Sequence, residues 1–220
     1  MFNFSQVCKI DRPVGLFMNQ NKQDKRKDQI LHAALTVLIQ NGYDHSRMDD
    51  IVNESKLSKG ALYWYYKSKK EMYLDLVNYW VIRYSVKINH LAETNQSAPD
   101  QLKGLFSYFI DQYESDPDPF IALTEFWSIA QKDNDFKNKL QKVYSHFLEV
   151  LEKIISKGVK NGDFKNVNLR ITAMSIMLNI ESLNWFTLFE PHGVKAREYI
   201  ETITDFILAG ILKKNKKDYE

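Results

Sequence analysis

Apolar residues recur at three- and four-residue intervals along most of the chain, the period of helices with one buried face. Over residues 22–40 the stripe is Ile30, Leu31, Ala34, Leu35, Val37 and Leu38. Asn41-Gly42 then supplies a stop, since glycine suits the left-handed position past a helix end. A short helix follows Ser46 and runs to residue 55, buried through Met48, Ile51 and Val52, with Ser46 and Asp49 spaced as a capping box. Lys56-Leu57 makes a tight turn. Ser58 caps a third helix over 59–65, and Ser68 with Glu71 caps a fourth that reaches residue 92. Longer helices are predicted over 99–113, 119–131, 136–160, 169–189 and 194–213, broken at Asp116-Pro117-Asp118-Pro119, at Asp133 to Asp135, at Gly158 to Gly162 and at Pro191. No period-two alternation appears, so the pattern predicts an all-α chain.

Spacing divides the chain. A short helix, a tight turn and another short helix form a helix-turn-helix arrangement. We read residues 1–22 as a flexible arm, 23–70 as a three-helix helix-turn-helix domain and 71–220 as a larger helical body. Met18 is an alternative start to Met1, which would make residues 1–17 an upstream extension.

The segment from Ser58 to Lys69 departs from core-helix patterning. Tyr63, Trp64, Tyr65 and Tyr66 are consecutive and point around the whole circumference of a helix, so some rings must face outward, and lysines flank them. A polyanion would cover such a surface, because tyrosine hydroxyls, ammonium groups and helix-start N–H groups all donate to phosphates. Charge agrees with this. Residues 1–70 hold 12 Lys+Arg against 7 Asp+Glu, a net +5, whereas residues 71–220 hold 18 against 21, a net −3. A basic end on a slightly acidic body suggests nucleic-acid contact at one end only, the alternative on charge alone being chance variation in solvated surface.

The series Arg26, Ile30-Leu31, Ala33-Ala34, Gly42-Tyr43, Met48, Ile51 and Leu57-Ser58-Lys59-Gly60-Ala61-Leu62-Tyr63, continuing through Tyr65-Tyr66-Lys67-Ser68-Lys69, resembles the DNA-binding domain of the tetracycline-repressor (TetR) family over residues 25–80. Two positions depart from the family pattern: Tyr66 replaces a phenylalanine, so its hydroxyl needs a partner, and Lys70 replaces an acidic residue. The resemblance implies that Ser58, Lys59 and Gly60 begin the recognition helix, that Tyr63, Tyr65 and Lys69 touch phosphates, and that Trp64 faces the groove. For Trp64 the alternative is packing beside the first helix. Ser46 and Arg47 would reach the flanking backbone.

In the body, Ile176, Met177, Ile180, Leu183 and Trp185 together with Ile200, Ile203, Phe206, Ile207 and Ile211 give the last two helices more apolar surface than one partner needs. The resemblance implies a homodimer through a four-helix bundle of those helices, two recognition helices being what a palindromic operator needs. It also implies a ligand cavity. Trp80, Tyr84, Phe109, Tyr113, Phe126, Trp127, Tyr144, Phe147, Met174, Met177 and Phe186 are candidate lining residues, with His146, Asn179 and Asn184 as polar groups.

Other chemistry is not indicated. His32, His45, His90, His146 and His192 are scattered without metal spacing, and no phosphate-binding glycine loop or GxSxG motif occurs. No cofactor, metal site or catalysis is expected. Cys8 alone cannot form an internal disulfide, and no apolar run approaches the roughly 20 residues of a membrane span. Asp11, Arg12 and Pro13 interrupt any secretory signal. The expectation is a cytoplasmic, homodimeric transcription regulator and not an enzyme, repressing from a double-stranded DNA operator and released by a small apolar or aromatic effector. The alternatives are a DNA binder controlled by a protein partner, or a helical enzyme or carrier that has lost DNA binding.

Overall fold

The computed structural model describes residues 22–189 and 193–213. Residues 1–21 of the expected arm (with Cys8 and Met18), Pro191, His192 and the basic tail beyond Lys213 lie outside the described residues. Among the described residues there are ten helices and no strand. They are α1 (Lys22–His45), α2 (Met48–Ser55), α3 (Lys59–Tyr65), α4 (Lys69–Glu93), α5 (Ala98–Ser115), α6 (Asp118–Ala130), α7 (Asn134–Asn161), α8 (Leu169–Glu181), α9 (Leu183–Leu188) and α10 (Ala196–Ile211).

The first helix breaks where its sequence says it should. Gly42 has φ 67° and ψ 169°, outside helical space, and the Ser46 N–H donates back to its carbonyl at 3.1 Å, closing a further turn. The left-handed φ makes glycine the fitting residue there. The second cap lies one residue later than predicted. Ser46 is buried, and its hydroxyl donates to the Tyr43 carbonyl at 2.9 Å, so it closes the preceding turn. Asp50 instead accepts from the Arg47 N–H at 2.8 Å. Ser58 and Ser68 cap α3 and α4 as predicted, accepting from the N–H groups of Ala61 and Glu71. Glu71 reaches back to the Lys67 N–H at 2.8 Å, one residue before the cap.

The helix predicted over 169–189 is two pieces. Ser182 sits at the junction, and its hydroxyl donates to the Asn179 carbonyl at 2.5 Å, competing with the helical ladder. Near the end of α7, Gly158 has no room for a side chain. A Cβ there would fall 2.2 Å from the Phe164 ring and 2.8 Å from the Ala98 Cβ.

Two apolar clusters form the interior. One joins Leu31, Leu38, Ile51, Leu62 and Tyr66 to Met72, Tyr73 and Leu76 of α4, and continues into Phe126 of α6 and Phe136 of α7. The other packs the far end of α4 with α5, α7, α8 and α10. Packing is therefore continuous across residue 70, and α4 contributes to both clusters. Ion pairs from Lys70 to Asp133 and Asp135, each 2.7 Å, fasten the start of α4 to the α6–α7 turn.

Candidate nucleic-acid interface and body cavity

The rings of α3 divide by direction. Leu62 is fully buried and Tyr66 is 4% exposed, whereas Trp64 is 63% exposed and Tyr63 and Tyr65 are half-buried. Trp64 does not pack beside α1 but stands outward, edge-on to Tyr65 with ring centroids 4.7 Å apart. The Tyr65 hydroxyl donates to the Gln23 carbonyl at 3.3 Å. The Tyr66 hydroxyl has the partner its replacement of phenylalanine demands, donating to Asp75 at 2.6 Å, and Asp75 also pairs with Lys27 at 2.7 Å. Burial first, then Asp75, holds the Tyr66 hydroxyl far above the usual tyrosine range.

Lys59 is exposed, pairs with Asp49 at 2.7 Å and lies 5.9 Å from the centre of the Tyr63 ring. Gly60 is exposed, with nothing within 4 Å of where a Cβ would stand, so internal packing does not call for glycine there. Ser58 and Arg47 are exposed at the starts of α3 and α2. A concavity lined by Arg26, Lys56, Ser58, Trp64 and Tyr65 adds two cations that sequence reasoning did not single out as site residues. For Lys56 the signal was available, since it occupies the turn just before α3.

Two expected DNA contacts sit elsewhere. Ser46 is 2% exposed with its hydroxyl committed to Tyr43. The Lys69 ammonium turns inward and donates to the carbonyls of Tyr43 at 2.5 Å and Ser46 at 2.9 Å, with Asp44 at 3.4 Å, over the Tyr43 ring at 4.5 Å. Carbonyls left open after the Gly42 break draw in the nearest cation, so Lys69 joins α4 to the α1–α2 turn.

A cavity of about 170 Å³ lies in the body. Of the expected residues it gathers Trp80 and Tyr84 of α4, Phe109 of α5, Phe126 of α6, and Tyr144 and Phe147 of α7. Other expected residues do not line it. Tyr113 packs edge-on against Phe120, and Phe186 packs against Tyr199. Trp127 stands one shell back, its Nε1 donating to the Tyr144 hydroxyl at 2.6 Å. Met177 is buried in the helical core, while Met174 is 42% exposed, because α8 buries the stripe of Ala173, Ile176, Met177 and Ile180 and turns Met174 the other way. Asn179 is engaged by the Ser175 carbonyl instead.

His146 and Asn184 do line the cavity, and so does Glu181, which sequence reasoning missed. Its signal was a carboxylate four residues after Met177, on the buried stripe of α8. Burial lifts the Glu181 carboxyl from 4.5 to about 7, opposed by a hydrogen bond from Tyr144. Burial also lowers the His146 imidazole, against a weaker opposing pull from Glu149. Neither amide atom of Asn184 has a protein partner, although the residue is 3% exposed.

The expected pairing face is split. Ile176, Ile180, Leu183, Ile200 and Ile211 serve the chain's own core. Trp185, Leu188, Phe189 and Phe206 are exposed, as are Ile171 and Leu178 of α8.

Residues 30–76 match the family described as bacterial regulatory proteins, tetR family, and residues 81–183 match the C-terminal region of YsiA-like protein. The uncharacterized HTH-type transcriptional regulator YfiR of Bacillus subtilis is 26% identical over 164 residues, covering 74% of this chain and 80% of that protein. Two solved structures share the fold. The transcriptional regulator FadR from Bacillus subtilis in complex with stearoyl-CoA has TM-score 0.73 at 18% identity, covering 84% and 98% of the two chains. A putative transcriptional regulator from Saccharomonospora viridis in complex with choline has TM-score 0.76 at 19% identity, covering 87% and 100%.

Proposed function

The chain belongs to the tetR family of DNA-binding bacterial transcription regulators, and from that premise we propose that it is a homodimeric repressor released from a palindromic operator by a small ligand with an apolar or aromatic body. The observation that carries the DNA assignment is the outward set on α3: Lys59, Gly60 and exposed Trp64 for the bases, Tyr63 and Tyr65 for the phosphates. Arg47, Arg26 and Lys56 extend this cationic surface along the flanking backbone. A glycine that internal packing does not require leaves room for DNA to approach α3 closely. We place the protein in the cytoplasm with its operator. Among the described residues no helix is long and apolar enough to cross a membrane.

The exposed apolar residues of α8, α9 and α10 support pairing of two copies through those helices. The cavity favours a small molecule over a protein partner as the controlling species, and fold neighbours holding stearoyl-CoA and choline support a ligand-taking body. At about 170 Å³ the cavity matches a single-ring occupant, close in size to cavities that accept benzene, and a larger ligand would have to open it. Helices α4 and α6 both line it. Helix α6 also meets the Tyr43 N–H through Glu125 at 3.4 Å, and α4 carries the Lys69 and Lys70 contacts. A ligand preferring a displaced α4 or α6 would change the separation of the two α3 helices and lower operator affinity.

Fluorescence anisotropy with duplex DNA at rising salt tests the interface. Affinity is expected to fall by orders of magnitude between 50 and 200 mM salt, as for a protein making about 6–10 phosphate contacts. A flat salt response would overturn the assignment.

A further inference from the structure

We propose that the cavity is built for an organic cation: a protonated amine on an apolar or aromatic body, with Glu181 as its counter-charge and Asn184 as its hydrogen-bond partner. This rests on the ligand-responsive reading above and names the chemical class of its ligand.

Three observations converge. First, three polar atoms at the cavity are open, although the Tyr144 hydroxyl also interacts with the Glu181 carboxyl. Glu181 Oε1 is buried without a hydrogen-bond partner, and both amide atoms of Asn184 are equally unpaired at 3% exposure. Buried polar atoms are almost always satisfied, so such a set calls for a partner from outside the chain. Second, the charge is one-sided. Among the described residues, Tyr84 from α4 and Tyr144 and His146 from α7 are the other titratable groups at the wall, and no lysine or arginine lines it. Burial holds the imidazole toward its neutral form and lifts the carboxyl to about 7. Above neutral pH the site therefore carries a carboxylate without a counter-ion, which repels an anionic ligand and attracts a cation. Third, aromatic residues from four helices surround it: Trp80, Tyr84, Phe109, Phe120, Phe126 and Tyr144. Aromatic faces are negative and stabilise a desolvated cation. An ammonium group donates to Glu181 Oε1 and to Asn184 Oδ1, while its apolar body fills the rest.

The test is isothermal titration calorimetry of the full chain at pH 8 with three probes of similar size: 2-phenylethylammonium, its uncharged isostere propylbenzene, and 3-phenylpropanoate. The cation is expected to bind at least tenfold more tightly than the isostere, with the anion weakest. Glu181→Gln, checked for folding by thermal melting, should remove the preference and bring the cation to the level of the isostere. Equal or tighter binding of the isostere or the anion, no binding by any probe, or a preference that survives Glu181→Gln would overturn the proposal. Release of DNA is measured separately by anisotropy. A cation that binds through Glu181 and leaves DNA affinity unchanged would contradict the ligand-released repressor while leaving the site assignment intact.

Discussion

Single residues decide what the rings and charges of this chain are for. Tyr66 and Trp64 are two positions apart, yet one is anchored to Asp75 and the other stands in solvent. Lys69 shows the limit of motif reasoning: its place in the family pattern implies a phosphate, but its ammonium is engaged by three backbone carbonyls. Lys69→Ala should lower stability by about 2 kcal/mol in urea unfolding, the scale of losing hydrogen bonds to a charged group. Unchanged stability with weakened DNA binding would return Lys69 to the phosphates. Glu181 makes a pH prediction. Its folded pKa, about 7, exceeds its usual 4.5, so between those values the folded chain binds more protons than the unfolded one. Its contribution is thus full below pH 4.5 and is lost as pH rises through 7, a change of order 3 kcal/mol. Compared with Glu181→Gln, the wild-type chain should lose stability across that window in denaturant titrations. Parallel pH profiles would count against an apolar setting for the carboxyl.

At the scale of elements, periodicity was sufficient for most of the fold. The stripe of Ile30, Leu31, Ala34 and Leu38 is buried in α1, and Ser58 and Ser68 cap α3 and α4. The misplaced features have local causes. The α2 cap moved because the Ser46 hydroxyl found the Tyr43 carbonyl, and the α8–α9 break came from a serine that reads in sequence as an ordinary helical residue. The site was legible unevenly for a related reason. The outward face of α3 follows from spacing within one helix. The cavity requires knowing how α4, α5, α6 and α7 face one another, which no single stripe records; Trp80 and Phe147 line it, while Tyr113 and Met174 do not. Helix α6 touches both the cavity and the end of α1, a role that its own stripe does not reveal.

For the whole molecule, shared packing across residue 70 is the central fact. The cluster that holds α1 to α3 extends through α4 into α6 and α7, and Lys70 ties the same region to Asp133 and Asp135. Displacement at the cavity therefore has a packed route to α3. A pair of chains joined through α8 to α10 would hold two such helices at a fixed separation, so the operator should carry the symmetry of the dimer. Selection of duplexes from a random pool by the full chain tests this account most directly. The selected sequences should share an inverted repeat whose half-sites lie about 10 bp, or a multiple of it, apart. Enrichment of a single asymmetric half-site, or of no sequence at all, would contradict it.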